Sequence, residues 1–210
     1  MPVDADFIRS WVRAVAQDVA THRDYLTQLD AAIGDADHGV NMDRGFASAL
    51  GALGEDGTPA GILDAVGGTI VNTVGGAAGP LYGSAFRSAA AALPEGAEFD
   101  REDLLSALRA GLEGIQRLGA AVEGDKTIVD AWGPAVSAFE RELRSGGSVA
   151  DAASRAAVAA EEGARETVPL QARKGRASYL GPRSVGHQDP GATSTALLFG
   201  ALARTARGQD

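Results

Sequence analysis

The residues best equipped for chemistry lie close together near the start of the chain. They are Asp30, Asp35 and Asp37, within the run Leu29-Asp30-Ala31-Ala32-Ile33-Gly34-Asp35-Ala36-Asp37-His38-Gly39-Val40-Asn41-Met42. Asp35 and Asp37 are two positions apart and project the same way from an extended loop; Asp30, one helical turn earlier, leans back toward them. Three carboxylates facing one point repel each other unless a cation lies between them. All-oxygen ligation in a chain without cysteine favours a hard ion, Mg²⁺ or Ca²⁺. The spacing is not that of an EF-hand, which needs its own Gly and a terminal Glu. One such aspartate alone would suit an ordinary turn or helix cap. The three together, with His38 and Asn41, read as a metal site.

Three further stretches carry glycine or charge in patterns suited to a phosphate ligand. Gly75-Gly76-Ala77-Ala78-Gly79-Pro80-Leu81-Tyr82-Gly83-Ser84 is a glycine loop entering a helix, where free N–H groups suit an anion. It follows neither the Walker A nor the Rossmann pattern, and taken alone it is better explained as a tight inter-helix turn. Gly124-Asp125-Lys126-Thr127-Ile128-Val129-Asp130-Ala131-Trp132 offers a lysine for a phosphate or for Asp125, and a tryptophan that reads as core. From Val168 to Pro190 there is little helical signal, yet Arg173, Lys174, Arg176, Arg183, His187 and Asp189 fall there among Gly175, Gly181 and Gly186. Structureless loops of that length are usually functional or disordered. The apolar Tyr179-Leu180 in its middle favours an ordered, cationic lid. Carboxylate-held metal, glycine-lined helix starts and a basic lid amount to a site for a Mg²⁺-nucleotide, whose chemistry needs positioning and charge neutralisation.

The elements holding these stretches are helical. Apolar residues recur at helical spacing in about eight segments, and no convincing strand is present. The expected spans are Asp4 to Ala20, Asp24 to Ile33, His38 to Gly54, and a helix capped by Thr58-Pro59 that runs to Gly75. Others run from Gly79 to Leu93, from an Asp100 cap through Ile115, from Thr127 to Leu143, from a Ser148/Asp151 capping box to Glu166, and from Gly191 to Ala206. Short connections favour antiparallel neighbours, hence an all-α, single-domain, up-and-down bundle or closed barrel over residues 1–210. Alanine-rich faces, as in 149–166, read as close helix packing.

The bulk numbers agree with a soluble globular protein. The chain has 210 residues, 45% hydrophobic and 22% charged, with 28 glycines and a net charge of −9. That acidity excludes bulk nucleic-acid binding. No apolar run reaches membrane-spanning length and the opening residues lack a signal-peptide pattern. The absence of cysteine excludes thiol chemistry and disulfides and fits a cytoplasmic protein.

The runs IGDADHGVNMDRGF (33–46), GGAAGPLYGS (75–84), GDKTIVDAW (124–132) and QARKGRASYLGPRSVGHQDPGATS (171–194) resemble the nucleotide-binding L subunits of dihydroxyacetone kinases, most of all the phosphotransferase-system-dependent (phosphoenolpyruvate-dependent) form. The resemblance covers the whole chain. It implies a barrel of eight antiparallel helices with the nucleotide at one end. It assigns Asp30, Asp35 and Asp37 to magnesium, two ions in all. Nucleotide contacts would come from His38, Gly39, Val40 and Asn41, from Ala77, Ala78, Gly119 and Ile128, and from Arg176, Asp189, Pro190 and Gly191. Arg176, with Lys126 as a weaker candidate, would neutralise phosphate charge. The resemblance further implies that ADP remains bound as a cofactor, transiently ATP. A phosphohistidine-carrying M subunit would phosphorylate it in place, and the γ-phosphoryl group would pass to dihydroxyacetone on a separate K subunit. In one departure, Ala78 stands where the family usually has serine in Gly-Gly-Ala-Ser-Gly-Pro, which predicts weaker nucleotide retention. Two alternatives remain open: a nucleotide domain for an ATP-dependent small-ketose kinase, and a nucleotide-dependent regulatory docking module. The fatty-acid kinase nucleotide domain fits less well, because its aspartate motif generally carries Thr where His38 stands.

Overall fold

A computed structural model describes residues 3–54 and 57–208. Eight α-helices account for most of them: α1 Ala5–Ile33, α2 His38–Ala52, α3 Pro59–Thr73, α4 Ala78–Ala92, α5 Arg101–Gly119, α6 Val129–Arg144, α7 Val149–Glu166 and α8 Pro190–Ala206. The caps expected from sequence are formed. Thr58 accepts from Gly61 N ahead of Pro59, and Asp100/Asp103 and Ser148/Asp151 close reciprocal capping boxes.

Three details differ from the sequence reading. The two expected N-terminal helices are one 29-residue helix. His22-Arg23-Asp24 is polar but contains no breaker, and Leu26 continues the buried stripe of Phe7, Trp11, Val12, Val15 and Val19. Two two-residue strands exist, β1 Val3–Asp4 and β2 Glu98–Phe99, paired antiparallel with Val3 opposite Phe99. They are too short for any periodicity to show. The 168–190 segment is ordered, and its centre is a 3₁₀ segment, Arg176–Ser184, bent at Gly181 (φ 56°). Short 3₁₀ turns leave no 3.6-residue apolar pattern.

Each helix packs on its successor, and α8 returns to α1, so the ring closes. The interior is apolar, with Trp11 against Phe86 (centroids 6.0 Å apart) and Trp132 edge-on to Phe199 (5.3 Å). Trp132 is a core residue, its indole N–H donating to Leu108 O at 3.0 Å. On α7, Ala152, Ala153, Ala156 and Ala160 are fully buried. Gly163 lies so close to the Asp130 carbonyl of α6 that a Cβ would collide with it. The small faces let these backbones approach. No helix among the described residues is long and apolar enough to cross a membrane.

This closure sets up the site. In an up-and-down ring, alternate helices start and stop at the same end. The starts of α2, α4, α6 and α8, with the ends of α1 and α5, all line one cleft.

Candidate functional site

That cleft encloses about 890 Å³, within the size range of small-molecule sites. Its acidic side is built on the turn from α1 to α2. Asp30, buried on the last turn of α1, accepts through Oδ2 from the backbone N–H of Asp37 (2.9 Å) and of His38 (3.2 Å). These bonds fold the loop back over α1. Gly34 is needed because any Cβ there would strike the Asp30 carboxylate. Ala36 takes a left-handed φ of 63°, an uncommon conformation for a residue with a Cβ, and turns the chain so that Asp35 and Asp37 converge. Carboxylate oxygens of Asp30, Asp35 and Asp37 all lie within 4.8 Å of one another. One cation of this protein reaches the cluster: Arg176 Nη2 pairs with Asp35 Oδ2 at 2.9 Å, with both side chains solvated. Three carboxylates so close, oxygen donors only, fit a hard divalent ion.

The opposite wall is the Gly75–Ala78 turn into α4, with Gly76 at φ 65°. An apolar floor of Leu81, Ile115, Leu118, Ala121 and Ile128 lies between. The lid contributes Arg173, Lys174 and Arg176, while Arg183 and His187 do not line the cleft. Of the sequence-assigned residues, Asp30, Asp35, Asp37, His38, Ala77, Ala78, Gly119, Ile128, Arg176, Asp189, Pro190 and Gly191 all line it. Gly39, Val40 and Asn41 do not. Gly39 packs on the Arg23 carbonyl of α1, Val40 is exposed, and Asn41 is buried, accepting from Arg44 Nη2 at 2.8 Å.

Lys126 has a place the sequence did not suggest. It is 1% exposed, and its ammonium donates to Thr167 O (2.7 Å) and to His187 O. Those carbonyls stand at the two ends of the lid. Thr167 Oγ1 accepts from Asp189 N (2.9 Å) and Gly186 N donates to Val168 O (2.8 Å), so the neck of the loop is closed by several bonds. Burial lowers the Lys126 pKa, with Asp189 and Asp130 pulling it back. Asp130 itself holds its turn by accepting from Gly124 N (2.6 Å) and Thr127 N (2.7 Å).

Asp189 caps α8, accepting from Ala192 N at 2.7 Å. Burial pushes its carboxyl up to about 7; the Ala192 N–H and Lys126 act the other way, while Asp130 and Asp30 add to the rise. His38 is held below its ordinary value by burial, against the pull of Asp30 and Asp37. Its Nε2 meets Ser194 Oγ at 2.9 Å, and Ser194 Oγ meets the Tyr82 hydroxyl at 2.7 Å. Sequence reading gave no role to Tyr82, Ser194 or Asp130. The available signal was a polar group on a helix face that is otherwise apolar.

A cluster of carboxylates at the mouth of an apolar-floored cleft, ringed by helix starts and covered by cations, defines a helical domain suited to a metal-bound phosphate ester. Residues 32–204 match the DAK2 domain, and the chain belongs to that family. It is 43% identical over 202 residues to the ADP-binding subunit DhaL of the PEP-dependent dihydroxyacetone kinase of Escherichia coli (strain K12), covering 95% of this chain and 96% of that one. It is 42% identical to the corresponding subunit of dihydroxyacetone kinase 1 of Listeria innocua, covering 98% of each. Among solved structures it is similar to the dihydroxyacetone kinase of C. freundii in complex with AMP-PNP and Mg²⁺ (TM-score 0.74, 26% identity). That match takes in 97% of this chain but 34% of the larger kinase.

Proposed function

We propose that this chain, as a single domain over residues 1–210, is the ADP-binding subunit of a phosphoenolpyruvate-dependent dihydroxyacetone kinase. The observation carrying the reading is the convergence of Asp30, Asp35 and Asp37 within 4.8 Å at the mouth of the helix-start cleft. Near full-length identity to ADP-binding subunits supports it.

In this reading Asp30, Asp35 and Asp37 hold Mg²⁺, two ions by analogy with the family. Mg²⁺ supplies charge neutralisation for the phosphates when bound. The free backbone N–H groups at the starts of α4 and α8 (Ala77-Ala78 and Gly191) donate to phosphate oxygens, while His38 and Pro190 shape the turns beside them. Leu81, Ile115 and Ile128, with the more exposed Leu118, offer an apolar floor for an aromatic base. Arg176 sits on an exposed pair with Asp35, worth little in water, and is free to move onto a phosphate. The protein's work is then positioning and screening, which phosphoryl transfer chiefly requires.

Nothing in the sequence resembles a K subunit. A K subunit carrying dihydroxyacetone and an M subunit carrying phosphohistidine therefore complete the system, in the cytoplasm. The test is to purify the protein without added nucleotide and reconstitute it with K and M subunits and phosphoenolpyruvate. Dihydroxyacetone phosphate should form with ADP staying on the protein. Turnover on K subunit and ATP alone would instead make it an ATP-exchanging ketose kinase domain. No transfer in either mixture would favour a regulatory module.

A further inference from the structure

The cleft is lined by helix starts from distant parts of the chain, and something must hold them in register. A buried hydrogen-bonded relay runs between them. The Tyr82 hydroxyl, on α4, lies 2.7 Å from Ser194 Oγ and 2.8 Å from Thr195 Oγ1, both in the first turns of α8. Ser194 Oγ lies 2.9 Å from Nε2 of His38, the first residue of α2. Ser194 and Thr195 hydroxyls also reach Gly191 O at 3.0 and 2.9 Å.

The chemistry sets the direction of the relay at its His38 end. The His38 ring also bonds the Pro190 backbone, and proline has no N–H, so the ring is the donor there. Nδ1 then carries the proton and Nε2 is an acceptor. Ser194 donates to Nε2, Thr195 donates to Gly191 O, and the Tyr82 hydroxyl joins the same cluster, with Ser194 Oγ, Thr195 Oγ1 and Gly191 O (3.1 Å) all within hydrogen-bond reach. Every group is satisfied, and no buried side-chain polar atom among the described residues lacks a partner. The backbone N–H of the same His38 donates to Asp30 Oδ2. The relay therefore runs from the helix after the glycine loop to the aspartate cluster. Tyr82 and Ser194 are 0% and 1% exposed. Apolar residues of the same size would fill such space without a network to satisfy, so a polar chain here points to register rather than to packing.

We infer that Tyr82 and Ser194 are positioning residues. Acting through His38, they set the aspartate loop against the starts of α4 and α8 so that both grip one metal–diphosphate. The inference rests on the Mg²⁺-ADP reading above.

The test uses Tyr82→Phe, which keeps the buried ring, Ser194→Ala and the double variant. ADP binding is titrated with and without Mg²⁺, alongside thermal melts and hydrogen exchange of ligand-free protein. The factor by which Mg²⁺ strengthens ADP binding should shrink about tenfold in each single variant, the scale of one lost buried hydrogen bond. The double variant should lose little more than either single. Exchange should quicken at 35–41 and at 189–195. A merely structural role would weaken ADP binding equally with and without Mg²⁺, and that result overturns the inference, as does an unchanged Mg²⁺ factor. Failure of the unmodified protein to bind Mg²⁺-ADP would instead remove the function reading. Exchange would then still show whether the relay holds the two loops, and wild-type exchange in Tyr82→Phe would overturn it separately.

Discussion

Replacing Asp37 by asparagine should make the ligand-free protein more stable and the liganded protein less so. Two unit charges 4.8 Å apart repel by about 1 kcal/mol in water-like surroundings and by about 3–4 kcal/mol at an effective dielectric near 20. Asp35 is exposed and Asp37 half-buried, so the lower figure applies to that pair and is the floor for the pair with buried Asp30. Asp37→Asn removes two such pairs, about 2 kcal/mol. Against this stands the interaction of a negative N-cap with the start of α2, about 0.3–1 kcal/mol. The Asp37 side chain makes no capping hydrogen bond, so nothing further is lost. The net gain of about 1 kcal/mol corresponds to a rise of about 2–4 °C in Tm for a chain of this size.

With ADP and Mg²⁺ at about a hundred times Kd, the unmodified protein gains about 2.7 kcal/mol, which the variant forgoes. The order of the two melting curves should therefore invert between EDTA and Mg²⁺-ADP, measured in low salt where screening is weak. Asp35→Asn should show a smaller gain in EDTA, because it also gives up the Arg176 pair. An Asp37→Asn protein that melts lower in EDTA, or that Mg²⁺-ADP stabilises as much as its parent, would refute the reasoning.

Three other outcomes are expected. Lys126→Met removes two charge-assisted hydrogen bonds at the lid neck and should cost about 3 kcal/mol, with faster proteolytic cutting between residues 168 and 187 in the native state. Ala78→Ser adds a hydroxyl in the glycine loop and should slow ADP release by about two- to tenfold, read by stopped-flow displacement. Because Asp189 sits at about 7 in the fold against an ordinary 3.8, the folded state binds the extra proton between those values. Its contribution therefore makes stability fall as pH rises from about 4 to 7 and then level off. Urea unfolding of Asp189→Asn should show a flatter profile across that window.

The fold was legible in the sequence because its signals are local. Thr58-Pro59, Asp100/Asp103 and Ser148/Asp151 act within one turn, and the stripe beginning Phe7-Trp11-Val15 repeats at helical period. The break placed between Ala20 and Asp24 was an error of the same locality: three polar residues look like a loop until Leu26 finds the core on the next turn. The aspartate cluster could be read since its spacing already brings the side chains together. The relay could not. Tyr82, Ser194 and His38 are more than a hundred residues apart along the chain in two of their pairings, and only ring closure brings them within 3 Å. Lys126 lines the cleft, but its carbonyl acceptors could not be read for a related reason: no sequence pattern marks a backbone acceptor.

Lys126 also answers a problem that the barrel poses for an anion. Closing eight alternating helices places four starts and four ends at one face, so the helix dipoles cancel and the face as a whole has no preference for phosphate. Local asymmetry has to create one. The starts of α4 and α8 reach the cleft with their N–H groups, helped by Gly75, Gly76 and Gly191. Three of the four ends are dealt with differently. The carbonyl of Thr167, at the end of α7, is covered by the Lys126 ammonium. At the end of α5, Ala120 turns left-handed at φ 47° and donates back to Gln116 O. The end of α1 is occupied by Asp30 and its two neighbours, so the most negative end is where a divalent ion can dock. A cation docked at α1, with the lysine at α7 and the open starts of α4 and α8, would turn a neutral face into one suited to an anion.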